Sequence, residues 1–328
     1  MTIHAGVPAP SLAPRLGHDA FRQRGEVAYR VLETRSLLGR CTSDRMPFEW
    51  TVNPYRGCAM GCRYCYATYT HEYLGLTDPD AFHTAVWVKR GGQAETARWL
   101  RIAVRRGERI AIGAATDPYQ PGEAEEGVTR RFLELCAQHR GVRLGLITKG
   151  ALVLRDVDLL RRIHQRGSLS ISVSLISTDA ELLRRVEPWA PPPLVRLEVL
   201  RRLAEAGLDV GLAILPILPG LTDDEATLDA LLSRAGAAGA RRFNAGLLFL
   251  RSPTRERFLA FLDREFPRHA EAYRRAYSVR AYLTGPYRDR VLARVDRLAE
   301  KYGLRRSGEH GAVSARLGAA RSQLRLFA

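Results

Sequence analysis

A chain of 328 residues allows one large α/β domain with extensions or two ordinary domains, and its 46% apolar residues are ample for a core. No apolar run is long enough to span a bilayer, and the opening "MTIHAGVPAPSLAPRLGHDAF" lacks the basic-then-apolar layout of a secretory signal, so the cytoplasm is the expected compartment. Five cysteines, an odd number, exclude a simple disulfide framework; a net charge of +16, carried by 48 arginines and three lysines, admits a polyanionic partner such as nucleic acid.

In chain order, residues 1–45 read as a Pro/Ala-rich extension with a brief helical pattern in "AFRQRGEVAYRVLETRSLL". A core is expected over residues 46–252. In it "EWTVNP", "ERIAIGAATDP", "VRLGLITKG", "SLSISVSLIST", "LDVGLAILPILPG" and "RRFNAGLLFLR" read as strands. Between the later strands, "EEGVTRRFLELCAQH", "VDLLRRIHQRG", "LVRLEVLRRLAEAG" and "DDEATLDALLSRAGAAG" have helical spacing. Gly141, Gly167 and Gly207 fall where left-handed caps are wanted. The strand runs are nearly continuous in apolar residues, as in a parallel sheet buried on both faces. About six strand–helix units predict an incomplete βα barrel or a doubly wound sheet, and both place chemistry at the C-terminal ends of strands. Those ends carry the polar stretches "TDPYQP", "TKG", "SLIST", "LPG" and "RSP". Residues 253–303 read as helical, and residues 304–328 as a flexible basic tail.

Three of the five cysteines, Cys58, Cys62 and Cys65, stand in the order C-x3-C-x2-C on a loop eased by Gly57 and Gly61. Soft thiolates this close select zinc or an iron–sulfur cluster. A structural zinc wants four protein ligands; His71 could supply the fourth, but the usual paired spacing is absent. Three thiolates suit a four-iron cluster with one iron open to a substrate. Cys136 lies in an amphipathic run, where a buried structural thiol is the expected role.

The C-x3-C-x2-C spacing with Tyr64 before the last cysteine resembles the radical S-adenosylmethionine (radical SAM) enzymes. The wider string "NPYRGCAMGCRYCYA" resembles the branch related to spore photoproduct lyase, often described as DNA-repair-photolyase-like. "TDPYQPGE", "LITKG", "SVSLIST", "EPWAP", "RLEVLRRLAEAGLDV" and "PILPGLTD" match in order, so the resemblance covers roughly residues 46–252.

It implies an α/β fold, a partial (βα)6 TIM-like barrel of the radical SAM type, with an N-terminal extension and a helical C-terminal region. It implies that Cys58, Cys62 and Cys65 hold a [4Fe–4S] cluster whose fourth iron binds S-adenosylmethionine. One electron, from a donor such as flavodoxin or ferredoxin, then yields a 5′-deoxyadenosyl radical that takes a hydrogen atom from the substrate. Lys149 is placed to reach the cofactor's carboxylate, and Ser172 and Ser174, on one strand face, resemble the serines that meet its polar groups. Asp117 lines the cofactor or substrate pocket, with Glu123, Glu187 and Arg251 as secondary candidates. Tyr64 and Tyr66 shield the cluster or stack on adenine.

Spore photoproduct lyase also needs a later cysteine to return a hydrogen atom to its product. No cysteine occurs between Cys65 and Cys136, which argues against thymine-dimer repair, although a tyrosine could take that role. The expected substrate is nucleic acid or another polyanion. The alternatives are the same chemistry on a peptide or small molecule, and a non-enzymatic three-cysteine metal site. At the C-terminus Gln323, Leu324, Leu326 and Phe327 resemble the Q-L-x-L-F peptides that dock bacterial repair proteins on the DNA sliding clamp.

Overall fold

A computed structural model describes residues 27–43, 46–76, 78 and 80–307. The chain enters through β1 (Ala28–Glu33), β2 (Leu38–Arg40), β3 (Trp50–Val52) and β4 (Tyr55–Arg56). The cysteine loop leads into a 3₁₀ segment (Tyr66–Leu74), followed by α1 (Ala81–Thr84), β5 (Ala85–Arg90), α2 (Gln93–Arg105) and β6 (Arg109–Ile112). Next come α3 (Glu123–Glu126), α4 (Val128–Ala137), β7 (Arg143–Thr148), a second 3₁₀ segment (Ala151–Asp156), α5 (Val157–Arg166) and β8 (Ser168–Ser174). The remainder is α6 (Ala180–Val186), α7 (Pro193–Glu205), β9 (Val210–Ile217), α8 (Glu225–Ala237), β10 (Arg242–Leu247), α9 (Thr254–Glu265), α10 (Pro267–Ala276), α11 (Pro286–Lys301) and β11 (Arg305–Arg306).

The main sheet runs β11-β10-β9-β8-β7-β6-β3-β2. Its six central strands, β3 and β6 to β10, are mutually parallel and correspond to the six runs read as strands from the sequence. The chain is therefore a partial (βα)6 barrel. β2 pairs antiparallel with β3 at one edge and β11 extends β10 in parallel at the other.

The strands are most strongly apolar on the face that packs under the helices. Leu144 and Leu146 of β7, Leu169, Ile171 and Val173 of β8, and Leu212 and Ile214 of β9 are fully buried under the helices. Register partners in a parallel sheet share a face. The rows Gly145–Ser170, Ile147–Ser172–Gly211–Arg242 and Ser174–Ala213–Asn244 therefore look into the lumen, which glycine, alanine and serine keep partly open. Serine and glycine broke the expected two-sided apolar pattern because that side must leave room.

The helical pattern read over residues 20–38 is also overturned within the described residues. Ala28–Glu33 is a strand paired in parallel with β5, in a three-stranded sheet of order β1-β5-β4. Tertiary pairing and the docking of Tyr29, whose hydroxyl accepts a hydrogen bond from the Gly122 amide at 3.0 Å, outweigh local spacing there. Among the described residues no helix is long and apolar enough to cross a membrane. The Q-L-x-L-F residues Gln323, Leu324, Leu326 and Phe327 lie outside the described residues.

Candidate active site around the cysteine loop

The cysteine loop leaves β3 and β4 at the C-terminal end of the barrel and is pinned by the segment after β6. Thr116 Oγ1 donates to the Gly57 carbonyl at 2.6 Å. Gln120 accepts from the Ala59 amide at 2.9 Å and donates to the Gly57 carbonyl at 3.3 Å. The Asp117 amide points at Cys58 Sγ from 3.4 Å, the kind of N–H···S contact that tunes a cluster sulfur. His83 Nδ1 meets the Cys58 carbonyl at 2.8 Å from the other side.

Gly61 is required twice over. Its φ is +69°, and a methyl group there would lie 1.8 Å from the Trp189 ring. Gly61→Ala is expected to displace the loop or the indole at a cost of about 2–3 kcal/mol. It should lower the iron retained by the purified protein, measured by elemental analysis, while far-ultraviolet circular dichroism stays unchanged.

Cys58 and Cys62 are buried and Cys65 is half-buried; none forms a disulfide. Burial pushes the thiols of Cys58 and Cys65 up and takes Cys62 up to about 12. Among the described residues no group of three or more His, Cys, Asp or Glu side chains is drawn together tightly enough to hold a single metal ion. Three thiolates on one loop, one short of the four protein ligands of a structural zinc, suit a polynuclear cluster better than a lone ion. His71 does not join them. Its Nε2 lies 3.0 Å from the Ala85 carbonyl, and its ring packs edge-on against Phe82 and Trp87.

Beside the loop lies a buried charge cluster. The Tyr64 hydroxyl donates to Glu187 Oε1, and Glu187 Oε2 pairs with Arg196 at 2.5 Å, both partners being essentially solvent-free. Arg196 also donates to the carbonyls of Pro191 and Ser174, at 2.6 Å and 3.1 Å. Burial would raise the Glu187 carboxyl, but Arg196 and then Lys149 hold it below the usual range. Lys149 Nζ sits 3.8 Å from Glu187 Oε1 and donates to Ser174 Oγ at 3.0 Å. Burial works against its ammonium, while Cys62, once ionised, and Glu187 work for it and push its proton affinity up.

Lys149 and Ser174 are thus brought together, and Ser172 lies two residues lower on the same face, buried. Asp117 serves as a brace. It accepts from the amides of Lys149 and Tyr119, at 2.6 Å and 2.9 Å, and from the Thr148 hydroxyl at 2.7 Å, tying the end of β7 to the cysteine loop. Burial pushes its carboxyl up against those donors.

Tyr66 is 44% exposed, donates to the Ala114 carbonyl and stands edge-on to Phe249. Glu123 is spent elsewhere, receiving Tyr55 at 2.5 Å and Arg155 at 2.8 Å in a buried network. Arg251 lies over the Tyr69 ring. The sequence reading did not single out Gln120, Trp189, Arg196 or Asn244. Gln120, Trp189 and Arg196 lie inside the matching stretches "TDPYQPGE", "EPWAP" and "RLEVLRRLAEAGLDV", and those stretches were the available signal. Asn244, buried in the lumen row of Ser174, has an Oδ1 with no hydrogen-bond partner among the described residues.

Over residues 52–231 the chain matches the Radical SAM superfamily. An uncharacterized protein of Mycobacterium tuberculosis is 39% identical over 285 residues, covering 87% of this chain and 83% of the relative. One of Methanocaldococcus jannaschii is 26% identical over 180 residues, covering 54% and 63%. A structure of spore photoproduct lyase with bound AdoMet and dinucleoside spore photoproduct superimposes with a TM-score of 0.64 at 17% identity, covering 87% of this chain and 86% of that one. Streptococcus suis SuiB bound to S-adenosylmethionine follows at 0.51 and 13%, covering 78% and 49%. Both share the fold. The three-cysteine loop at the mouth of a partial parallel barrel and the family match across its strands agree: the chain belongs to the radical SAM superfamily of iron–sulfur, S-adenosylmethionine-binding enzymes.

Proposed function

We propose that Cys58, Cys62 and Cys65 hold a [4Fe–4S] cluster, that the Lys149–Ser174 end of the barrel holds S-adenosylmethionine, and that the substrate is a nucleic acid. The observation that carries the reading is a buried ammonium, Lys149, fixed by Ser174 and Glu187 beside the cysteine loop, on a lumen whose nearby rows also carry Ser172, Gly211, Ala213 and Asn244. When bound, cluster and cofactor supply one-electron cleavage to a 5′-deoxyadenosyl radical.

The chain's own residues perform the rest. Lys149 offers a cation to the cofactor's carboxylate. Glu187 and Arg196 hold that cation in place, and Asp117 locks the strand end that carries it. Ser172, Ser174 and the free Asn244 Oδ1 supply hydrogen-bonding groups to the lumen. Tyr64 and Trp189 help close the loop against water. Lys149→Ala is expected to keep its iron yet bind S-adenosylmethionine about 1–3 kcal/mol more weakly, by equilibrium dialysis of the reconstituted protein. Unchanged affinity would remove Lys149 from the site.

Nucleic acid is favoured as substrate by the net charge of +16 and by the dinucleoside seen in the lyase of like fold; SuiB, also of like fold, has been solved bound to a precursor peptide. The electron donor is of the flavodoxin or ferredoxin class, which implies a reducing, cytoplasmic setting. The Q-L-x-L-F end docks on a bacterial sliding clamp; binding of the 317–328 peptide, lost on Leu326→Ala and Phe327→Ala, tests that part. For the substrate, 5′-deoxyadenosine release is measured with DNA, RNA and peptide pools. Stimulation by nucleic acid alone is expected, and stimulation by peptide alone would overturn the assignment.

A further inference from the structure

The N-terminal ends of the core strands form the barrel face opposite the cysteine loop, and arginines crowd it. Arg40 and Arg106, whose side chains are 46% and 64% exposed, lie 3.0 Å and 3.9 Å from Glu108. Glu108 also accepts from Trp50 Nε1 at 2.7 Å, so one carboxylate serves two cations and an indole. The patch continues through Arg143, which donates to the Gly107 carbonyl at 2.9 Å, and through Gly141, whose amide meets the Arg166 carbonyl at 2.8 Å.

Arg105, Arg140, Arg143 and Arg166 are exposed, and among the described residues none of them pairs with a carboxylate. On the α7, α8 and α11 side, Arg201 is bound by Glu198 and Glu205, Arg297 by Glu225, and Lys301 by Asp229. On the N-terminal face Arg109 pairs with Glu49 and Arg242 with Asp209, which leaves Arg105, Arg140, Arg143 and Arg166 as its open cations.

A cleft of about 470 Å³ sits within the patch, lined by Leu38, Trp50 and Trp99 with Arg40 and Arg106 at its rim. The two indoles lie 5.4 Å apart, and the Arg40 guanidinium stands 5.0 Å from the Trp50 ring. Trp50 is only 4% exposed, so the half-buried Trp99 supplies the accessible ring, and this apolar floor beside cationic Arg40 and Arg106 fits a flat ring attached to a phosphate. A duplex hides its rings in the stack; a single strand presents them.

We propose that this face is a second polynucleotide-binding surface, separate from the radical site. Its unpaired arginines hold the phosphodiester backbone of a single strand, and the cleft takes one base. Arginine is suited to this because its planar fork matches phosphate oxygens and stacks on aromatic rings. Such an anchor raises the local concentration of the polymer at the barrel mouth without touching the chemistry.

The test uses full-length, anaerobically reconstituted protein and a fluorescein-labelled 20-nucleotide single strand, read by anisotropy across a salt series. The Arg105→Gln/Arg140→Gln/Arg143→Gln variant is expected to bind at least about tenfold more weakly. Its slope of log affinity against log salt should be shallower by about 2, at roughly 0.7 per lost phosphate contact. The corresponding triple lysine variant should recover most of both, and iron content should be unchanged in either. Lys149→Ala should bind the strand like the unmodified chain, so failure of the catalytic assignment leaves this test standing. Equal affinity and slope in the glutamine variant would overturn the surface, and a duplex binding as tightly as the single strand would overturn the base-holding cleft.

Discussion

Replacing Cys58, Cys62 or Cys65 with alanine is expected to strip iron from the protein and end S-adenosylmethionine cleavage, whereas Cys41→Ala and Cys136→Ala leave both intact. The distinction is positional. The three loop sulfurs sit at the barrel mouth, one of them under the Asp117 amide, and each is a third of the proposed protein donor set. Cys136 is fully buried in α4, and burial alone pushes its thiol up, which describes a small apolar residue rather than a ligand. Cys41 lies just past β2, away from the loop. Elemental analysis and visible absorbance of anaerobically purified variants decide it. Iron retained in Cys58→Ala, or lost in Cys136→Ala, would dismantle the site as drawn.

Arg196→Ala is expected to cost about 3–5 kcal/mol, the range for breaking a buried ion pair by removing one partner. The loss exceeds that of a surface bridge because Glu187 and the carbonyls of Pro191 and Ser174 would all be left in a solvent-free space. The pH dependence follows from Glu187. Its folded carboxyl is held below the usual range, so its stabilisation is complete above that range and is lost as pH falls through the lowered value. Urea unfolding at pH 7 and at pH 4 measures both effects. A small loss at pH 7 would show that Lys149 and Tyr64 suffice to hold Glu187.

Arg196 also shows what a one-dimensional reading misses. In "LVRLEVLRRLAEAG" it is one arginine among several on an amphipathic helix, and nothing local distinguishes it from the solvated Arg201. Its role appears only when α7 packs over the end of β8 and Glu187 arrives from the turn after α6. Gln120 and Asn244 are similar, because their partners or open space come from strands distant in the chain. The six core strands were legible because each is a compact apolar run ending in a polar stretch. The cysteine loop was legible because its spacing is itself the chemistry. β1 was not, since a short strand in a small sheet owes its form to β5 rather than to its own period.

The central claim is that this barrel reductively cleaves S-adenosylmethionine at its three-cysteine loop. The most direct measurement is anaerobic reconstitution with iron and sulfide, followed by addition of S-adenosylmethionine and a strong one-electron reductant and quantitation of 5′-deoxyadenosine. About four irons per chain are expected, with 5′-deoxyadenosine that vanishes in Cys62→Ala. Stoichiometric zinc without iron, or an iron-loaded protein that releases no 5′-deoxyadenosine with or without nucleic acid, would contradict it.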